Sequence, residues 1–212
     1  MFYDSKMHHR KSIRLKYYDY SLSGLYFITI CTQNRLHLFG EIVGESSIST
    51  HDQMDLNNAG KMIQKTWNEI ANNFTNIKLH DFVIMPNHIH GIIEIMVGAP
   101  LVGAQNPVDA RNKSMQLQSG QPQGIAPTGN TLADVVGAFK SITTNKYIQM
   151  VKQKKVPPFD KRIWQRNYWE HIVRNENEYN DIAQYIVDNP QKWELDELNA
   201  GSGNYVMETQ TF

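Results

Sequence analysis

The sequence has one cysteine, no net charge and no long apolar run. Cys31 alone excludes an internal disulfide and any cysteine-rich zinc site, and its apolar surroundings read as a buried thiol without a catalytic role. Lysine plus arginine and aspartate plus glutamate number 21 each, so overall basicity gives no argument for a nucleic-acid partner. No stretch approaches the roughly 20 apolar residues that cross a bilayer. The first twenty residues carry Arg10, Lys11, Arg14 and Lys16 and lack the apolar core of a signal peptide. The expectation is a cytoplasmic protein with no membrane partner. The 212 residues are 41% hydrophobic, 10% aromatic and 20% charged, which suits one folded domain over 1–212.

Zero net charge hides an uneven distribution. Residues 140–174 hold Lys140, Lys146, Lys152, Lys154, Lys155, Lys161, Arg162, Arg166 and Arg174 against Asp160 and Glu170. From Glu176 onward the sign reverses, and Asp188, Glu194, Asp196 and Glu197 belong to that acidic stretch. A basic segment beside an acidic one can present an anion-binding face, and two solvated helix faces explain the same counts.

Gly24 to Thr32 follows a Ser/Gly turn and is rich in aromatic and β-branched residues, which predicts a buried strand. Met62, Ile63, Trp67, Ile70 and Ala71 recur at helical spacing within 57–74. Two further strands, 77–85 and 88–96, are joined at Pro86-Asn87 as a hairpin. Residues 98–130 are punctuated by glycine and proline and contain no aromatic residue, so they are expected to be a flexible insertion. Thr131 is a candidate N-cap for a helix with Leu132, Val135, Val136, Phe139 and Ile142 on one face. A last helix spans about 179–187, and Asn189-Pro190 ends it. This order fits an α+β fold, an antiparallel sheet of the ferredoxin-like split βαβ kind with helices on one face. Its final strand is not obvious; the 156–164 region is a candidate, against which Pro157-Pro158 argues.

The sharpest local feature is His88-Ile89-His90, because strand alternation throws both imidazoles to one face. Two such histidines form half of a metal site or a pair of hydrogen-bonded structural residues. Glu94 shares their face but lies about two pleats from His90, too far to join one ion comfortably, so a third ligand would come from another element. Tyr185 and Asn189, at i and i+4, share a helix face and could deliver a nucleophile and an amide ligand together. A core tyrosine and a helix stop are the plainer roles for the same two residues.

Several ordered motifs resemble one family. Met85-Pro86-Asn87-His88-Ile89-His90-Gly91, then Phe139-Lys140-Ser141, then Ile163 to Ile172, then Tyr185-Ile186-Val187-Asp188-Asn189-Pro190 are similar to the REP-associated tyrosine transposases of the HUH single-tyrosine transposase superfamily. The segments 10–21 and 26–29 share in the resemblance, which spans nearly the whole chain apart from 98–130 and the extreme C-terminus. It implies a ferredoxin-like domain in which His88, His90 and Asn189 bind Mg2+ or Mn2+ and Tyr185 is the nucleophile. Two imidazoles and an amide make a neutral site, so weak binding with a preference for manganese is expected.

The implied reaction is cleavage and rejoining of single-stranded DNA beside hairpin (palindromic) elements through a 5′-phosphotyrosine. Trp164 and Trp169, interleaved with Arg162 and Arg166, are candidates for stacking on bases and holding phosphates. Arg10, Lys11 and Arg14 form a second candidate set, and Lys140 is the first choice for a single phosphate contact. The chain is expected to work as a monomer or homodimer. The alternative is a catalytically silent protein that only binds hairpin DNA.

Overall fold

In the computed structural model, residues 22–44, 52–96 and 130–199 are described. Arg10, Lys11 and Arg14 lie outside them, as does the insertion expected at 98–130 apart from Asn130. The order of elements is β1 (Gly24–Cys31), β2 (Gly40–Val43), β3 (Gln53–Leu56), α1 (Asn58–Ile70), β4 (Ile77–Ile84), β5 (His88–Ile95), α2 (Leu132–Lys152), β6 (Trp169–Val173) and α3 (Glu176–Asp188). A 3-10 segment, Pro190–Leu195, follows α3.

Four strands form one antiparallel sheet in the order β4-β5-β1-β6, and β2-β3 is a separate two-stranded ribbon. With α1 connecting β1 to β4 and α2 connecting β5 to β6, this is the split βαβ arrangement. The central strands β1 and β5 are buried almost throughout because both of their faces are covered. Tyr26, Ile28 and Ile30 of β1 and Ile89, Ile93 and Ile95 of β5 join Ile63, Trp67 and Ile70 of α1 and Val135, Val136 and Phe139 of α2 in the main core.

Local signals explain the two core helices. The Asn57 side chain accepts a hydrogen bond from the Gly60 N–H and caps α1. Thr131 and Asp134 form a reciprocal capping box at the start of α2. The indole of Trp67 lies against Gly91, where a Cβ would collide with its ring. Gly91 is therefore required by packing, because α1 could not approach β5 as closely over any other residue.

Three particulars differ from the sequence expectation. The final strand is Trp169–Val173; in the 156–164 region only Trp164 makes a bridge, to Thr32. A five-residue edge strand has no apolar run to announce it, which is why its aromatic and basic neighbours drew attention instead. The helices also do not all share a face: α1 and α2 cover one side, and α3 lies on the other through Ile186, packed with Phe27, Ile92 and Val173. The β2–β3 ribbon, with two strands of four residues each, was not anticipated either.

Candidate active site

The face beneath α3 is where β5 alternation directs His88 and His90. Thr29 pairs with His90 and Cys31 with His88 across the β1–β5 ladder. His90 stacks on Phe27, with ring centroids 5.3 Å apart, and Tyr185 meets Phe27 edge-on at 6.0 Å. The Tyr185 hydroxyl lies 3.2 Å from His90 Nε2, so the last turn of α3, anchored by its neighbour Ile186, brings the tyrosine to the histidine pair. Asn189 keeps helical dihedrals (φ −56°, ψ −43°) although a proline follows, a conformation the proline ring disfavours. That keeps its amide on the Tyr185 side and buried.

Hydrogen bonds fix the His88 tautomer and orient both imidazoles. The Asn87 amide donates to the carbonyls of Arg35 and Leu198, which leaves its oxygen facing His88 Nδ1 at 2.7 Å. His88 Nδ1 must then carry the proton, and Nε2 is a bare acceptor. The Tyr185 hydroxyl lies against His90 Nε2, and Thr29 Oγ1 lies 2.8 Å from His90 Nδ1. In the tautomer that carries its proton on Nδ1, His90 donates to Thr29 and keeps Nε2 as an acceptor. Each histidine thus presents Nε2 to the same space, backed by an outer partner that orients it, as metal-ligating histidines usually are.

The unsatisfied atoms identify what the space is for. His88 Nε2, Asn189 Oδ1 and Asp196 Oδ2 are buried and make no hydrogen bond. His88 Nε2 and Asp196 Oδ2 face each other at 3.8 Å, two acceptors with no donor between them. Such a pair is costly unless a cation lies between. A proton does not serve: burial, reinforced by His90, Arg35 and His37, lowers the His88 pKa well below the ordinary value. Burial likewise lowers His90 to about 3, so both rings are neutral and available as ligands. The ligand atoms of His88, His90 and Asp196 lie within 4.8 Å of one another. A donor set of two imidazoles and a carboxylate fits a divalent cation, and Asn189 Oδ1 on α3 is a further buried, unpaired acceptor.

Asp196 was missed in the sequence, where it counted only as part of an acidic stretch. The 3-10 segment after Pro190 turns the chain back beneath the sheet, and Trp193 packs on His88 at 5.9 Å and on His37 at 5.5 Å. Asp196 Oδ1 accepts from the Leu198 N–H and holds the turn, which leaves Oδ2 for the site. One buried tryptophan in a polar segment was the available signal that the segment folds back. The site is therefore not the neutral one expected from two imidazoles and an amide.

The remaining expected residues separate into three groups. Trp164 is 4% exposed and its indole N–H donates to Thr143 Oγ1, so it is a core residue and offers no face to a base. Lys140 donates to the carbonyls of Gln165, Arg166 and Asn167 at 3.1, 3.4 and 3.0 Å. Those three contacts hold its ammonium on the 165–167 backbone, beside the surface cleft it lines with Arg162 and Arg166. Burial also lowers its pKa to about 8. Arg162 and Arg166 are exposed and, with Gln33, Asn34, Asn167 and the Asp160–Lys161 turn, line an open groove of about 580 Å3. Trp169 is 47% exposed on β6. Glu94 pairs with His80 at 2.8 Å, away from the histidine pair as its spacing implied. No helix among the described residues is long and apolar enough to cross a membrane.

No family model matches the chain. Among solved structures, a REP-associated tyrosine transposase bound to a REP hairpin is similar at a TM-score of 0.47 and 18% identity, over 85% of this chain and 74% of that one. A candidate transposase of Deinococcus radiodurans is similar at a TM-score of 0.38 and 15% identity, over 82% of this chain and 95% of that one. A protein of Haemophilus influenzae, itself uncharacterized, is 40% identical over 197 residues, which are 92% of this chain and 96% of that protein. At that identity over nearly the whole of both sequences, the chain belongs to the same family as the Haemophilus influenzae protein.

Proposed function

We propose that the protein is a single-tyrosine DNA strand transferase that cleaves and rejoins single-stranded DNA beside hairpin elements. The observation that carries this reading is the Tyr185 hydroxyl held 3.2 Å from His90 Nε2, at the mouth of a buried cluster of unpaired acceptors. The order of motifs that resembles the HUH transposases supports it independently of the geometry.

In the reaction the Tyr185 oxygen attacks the scissile phosphorus and the 3′-oxygen of the preceding nucleotide leaves. A 5′-phosphotyrosine and a free 3′-hydroxyl result. One phosphodiester replaces another, so the strand can be rejoined to a different 3′-hydroxyl without an external energy source. His88, His90 and Asp196, with Asn189 beside them, would hold a divalent cation, in our reading Mg2+ or Mn2+, which would supply Lewis-acid polarisation of the phosphate. Asn87 holds His88 in the ligating tautomer, and Thr29 orients the His90 ring.

Tyr185 must lose its proton. Burial first and the Asp196 carboxylate second raise its pKa above the ordinary phenol value, while the hydrogen bond from Asn189 opposes them. His90, with a pKa of about 3, is too weak a base to take that proton. Tyr185 is 40% exposed, so its proton leaves to water, and cleavage should accelerate as pH rises toward the phenol pKa.

The test is a denaturing gel after incubation with labelled single-stranded hairpin DNA and manganese. A covalent protein–DNA band that disappears in Tyr185→Phe, with hairpin affinity retained, is the expected result. An adduct that persists in the variant would move the nucleophile elsewhere. Hairpin binding without any adduct would reduce the protein to a silent DNA-binding module.

A further inference from the structure

Trp169 is the only one of the four tryptophans with an open face; Trp67, Trp164 and Trp193 are 1%, 4% and 8% exposed. Its position is fixed by the sheet. Trp169 pairs with Thr29 across β1–β6, and Thr29 pairs with His90 across β1–β5. The three residues form one row on the α3 face, which places Trp169 two strand spacings, roughly 10 Å, from His90.

The indole is held from two sides. It meets Phe27 edge-on at 5.7 Å, and Phe27 also touches His90 and Tyr185. The His171 ring lies parallel to it, 9° between planes at 5.9 Å. Glu178 of α3 fixes His171 through a 2.6 Å hydrogen bond, and the Arg174 N–H donates to the same carboxylate at 2.7 Å. A large apolar ring is thus braced beside the nucleophile, although leaving it half exposed wastes the burial that a tryptophan normally contributes. The polar groove containing Arg166 and Asn167 immediately precedes it in the chain, at the end of the sheet where β1 stops and β6 starts.

We infer that Trp169 is a stacking platform for an unpaired nucleobase next to the phosphate that Tyr185 attacks, and that the Arg162–Arg166 groove carries the backbone of the same single strand toward it. This rests on the function proposed above and goes beyond it by assigning where the strand lies. Aromatic stacking accepts any base, while the guanidiniums hold phosphates. Arg162 and Arg166 then set the salt dependence, and Trp169 contributes affinity that salt hardly changes.

Because Trp169 is the exposed fluorophore, the experiment needs no label. The intact protein, with metal chelated, is titrated with a DNA hairpin carrying a short single-stranded extension, with the same hairpin made blunt, and with one whose extension is abasic. The expected result is quenching by the extended hairpin alone, and loss of that signal in Trp169→Phe. Trp169→Ala should weaken binding of the extended hairpin about tenfold, while Trp169→Phe retains most of the affinity. Unchanged thermal melting of both variants separates this from misfolding; should Trp169→Ala melt early, the Trp169→Phe signal and the abasic comparison decide. Equal affinity for extended, blunt and abasic hairpins, or quenching that survives in Trp169→Phe, overturns the platform. If a Tyr185 adduct still forms in that case, only the platform falls. If no hairpin binds and no adduct forms, the proposed function falls with it.

Discussion

The two faces of the central sheet are built by the same four strands, and β5 shows how differently they are used. Ile89, Ile93 and Ile95 enter the dry core beneath α1 and α2, whereas the intervening His88 and His90 enter a space holding Asn189 and Asp196. On the first side the buried groups are mostly apolar, with the Trp67 indole N–H and the Tyr147 hydroxyl left unpaired among them, and α1 and α2 are anchored by many side chains. On the second side α3 is fully buried only at Ile186, and the polar atoms beneath it lack partners. Stability is concentrated on one face, which lets the other carry acceptors that would be unfavourable without a cation.

The largest expected effect tests the stable side. Trp67→Ala should cost about 3–5 kcal/mol, because it empties the contact between α1, Phe82, Phe139 and Gly91. Ile186→Ala, a smaller side chain from a smaller cluster, should fall near the lower end of about 2–5 kcal/mol and should loosen α3 before the rest. Chemical denaturation gives the first pair of values and hydrogen exchange in α3 the second. Equal protection of α1 and α3 would contradict the division between faces.

Next in size is a reversal of sign at Asp196. Asp196→Asn supplies an N–H opposite His88 Nε2, so the metal-free protein should gain about 1 kcal/mol. Manganese affinity should fall at least tenfold in the same variant, since the one anionic ligand is gone. Calorimetric titration and thermal melting with chelator measure the two separately. Loss of stability without metal would mean that Asp196 is held by a protonated His88, and the cation site would be lost as an explanation.

The histidines also set a pH dependence that the apolar face lacks. Both have folded pKa values below the unfolded value near 6.5, so below that pH the unfolded chain binds protons that the folded one refuses. Stability contributed by keeping them neutral is complete above pH 6.5 and is lost as pH falls toward 3. For His90 alone the loss at pH 5 is about 2 kcal/mol. Melting temperature measured from pH 8 down to pH 4 with chelator should decline in this window. The decline should shrink in His90→Gln.

These contrasts show which parts were legible in advance. The strands at 24–31, 77–84 and 88–95 and helices α1 and α2 announce themselves through apolar periodicity and caps, because burial on the core face is what that periodicity records. Strand alternation puts His88 beside His90 and i,i+4 spacing puts Tyr185 beside Asn189, both local rules, but only the resemblance of the ordered motifs joined the two pairs into one expected site. Asp196 could not be placed, because its approach depends on an irregular return after Pro190 that no period describes. Strand β6 was hidden for a related reason: alternating Trp169 and His171 with Glu170 on an edge strand resembles a binding segment more than a sheet. Trp164 shows the opposite failure, since composition placed it in a basic aromatic window and only packing revealed that it faces inward, while Lys140 from the same window is tied to the 165–167 backbone at the surface.

The smallest expected effect concerns that last pair. Lys140 projects from α2 and braces the 165–167 backbone, so Lys140→Met should weaken DNA binding slightly by loosening the groove, with no change in how affinity depends on salt. Arg162→Ala or Arg166→Ala should each lower the slope of log affinity against log salt by about 0.7, the value for one single-strand phosphate contact. The two kinds of cation, one from α2 and the other from the 162–167 segment, line the same cleft, so the slope, rather than the affinity, distinguishes a brace from a contact. If Lys140→Met reduced the slope as the arginine variants do, its ammonium would leave the three carbonyls for phosphate when DNA arrives. The α2 side would then take part in binding, and the separation of a stable face from a working one would no longer hold.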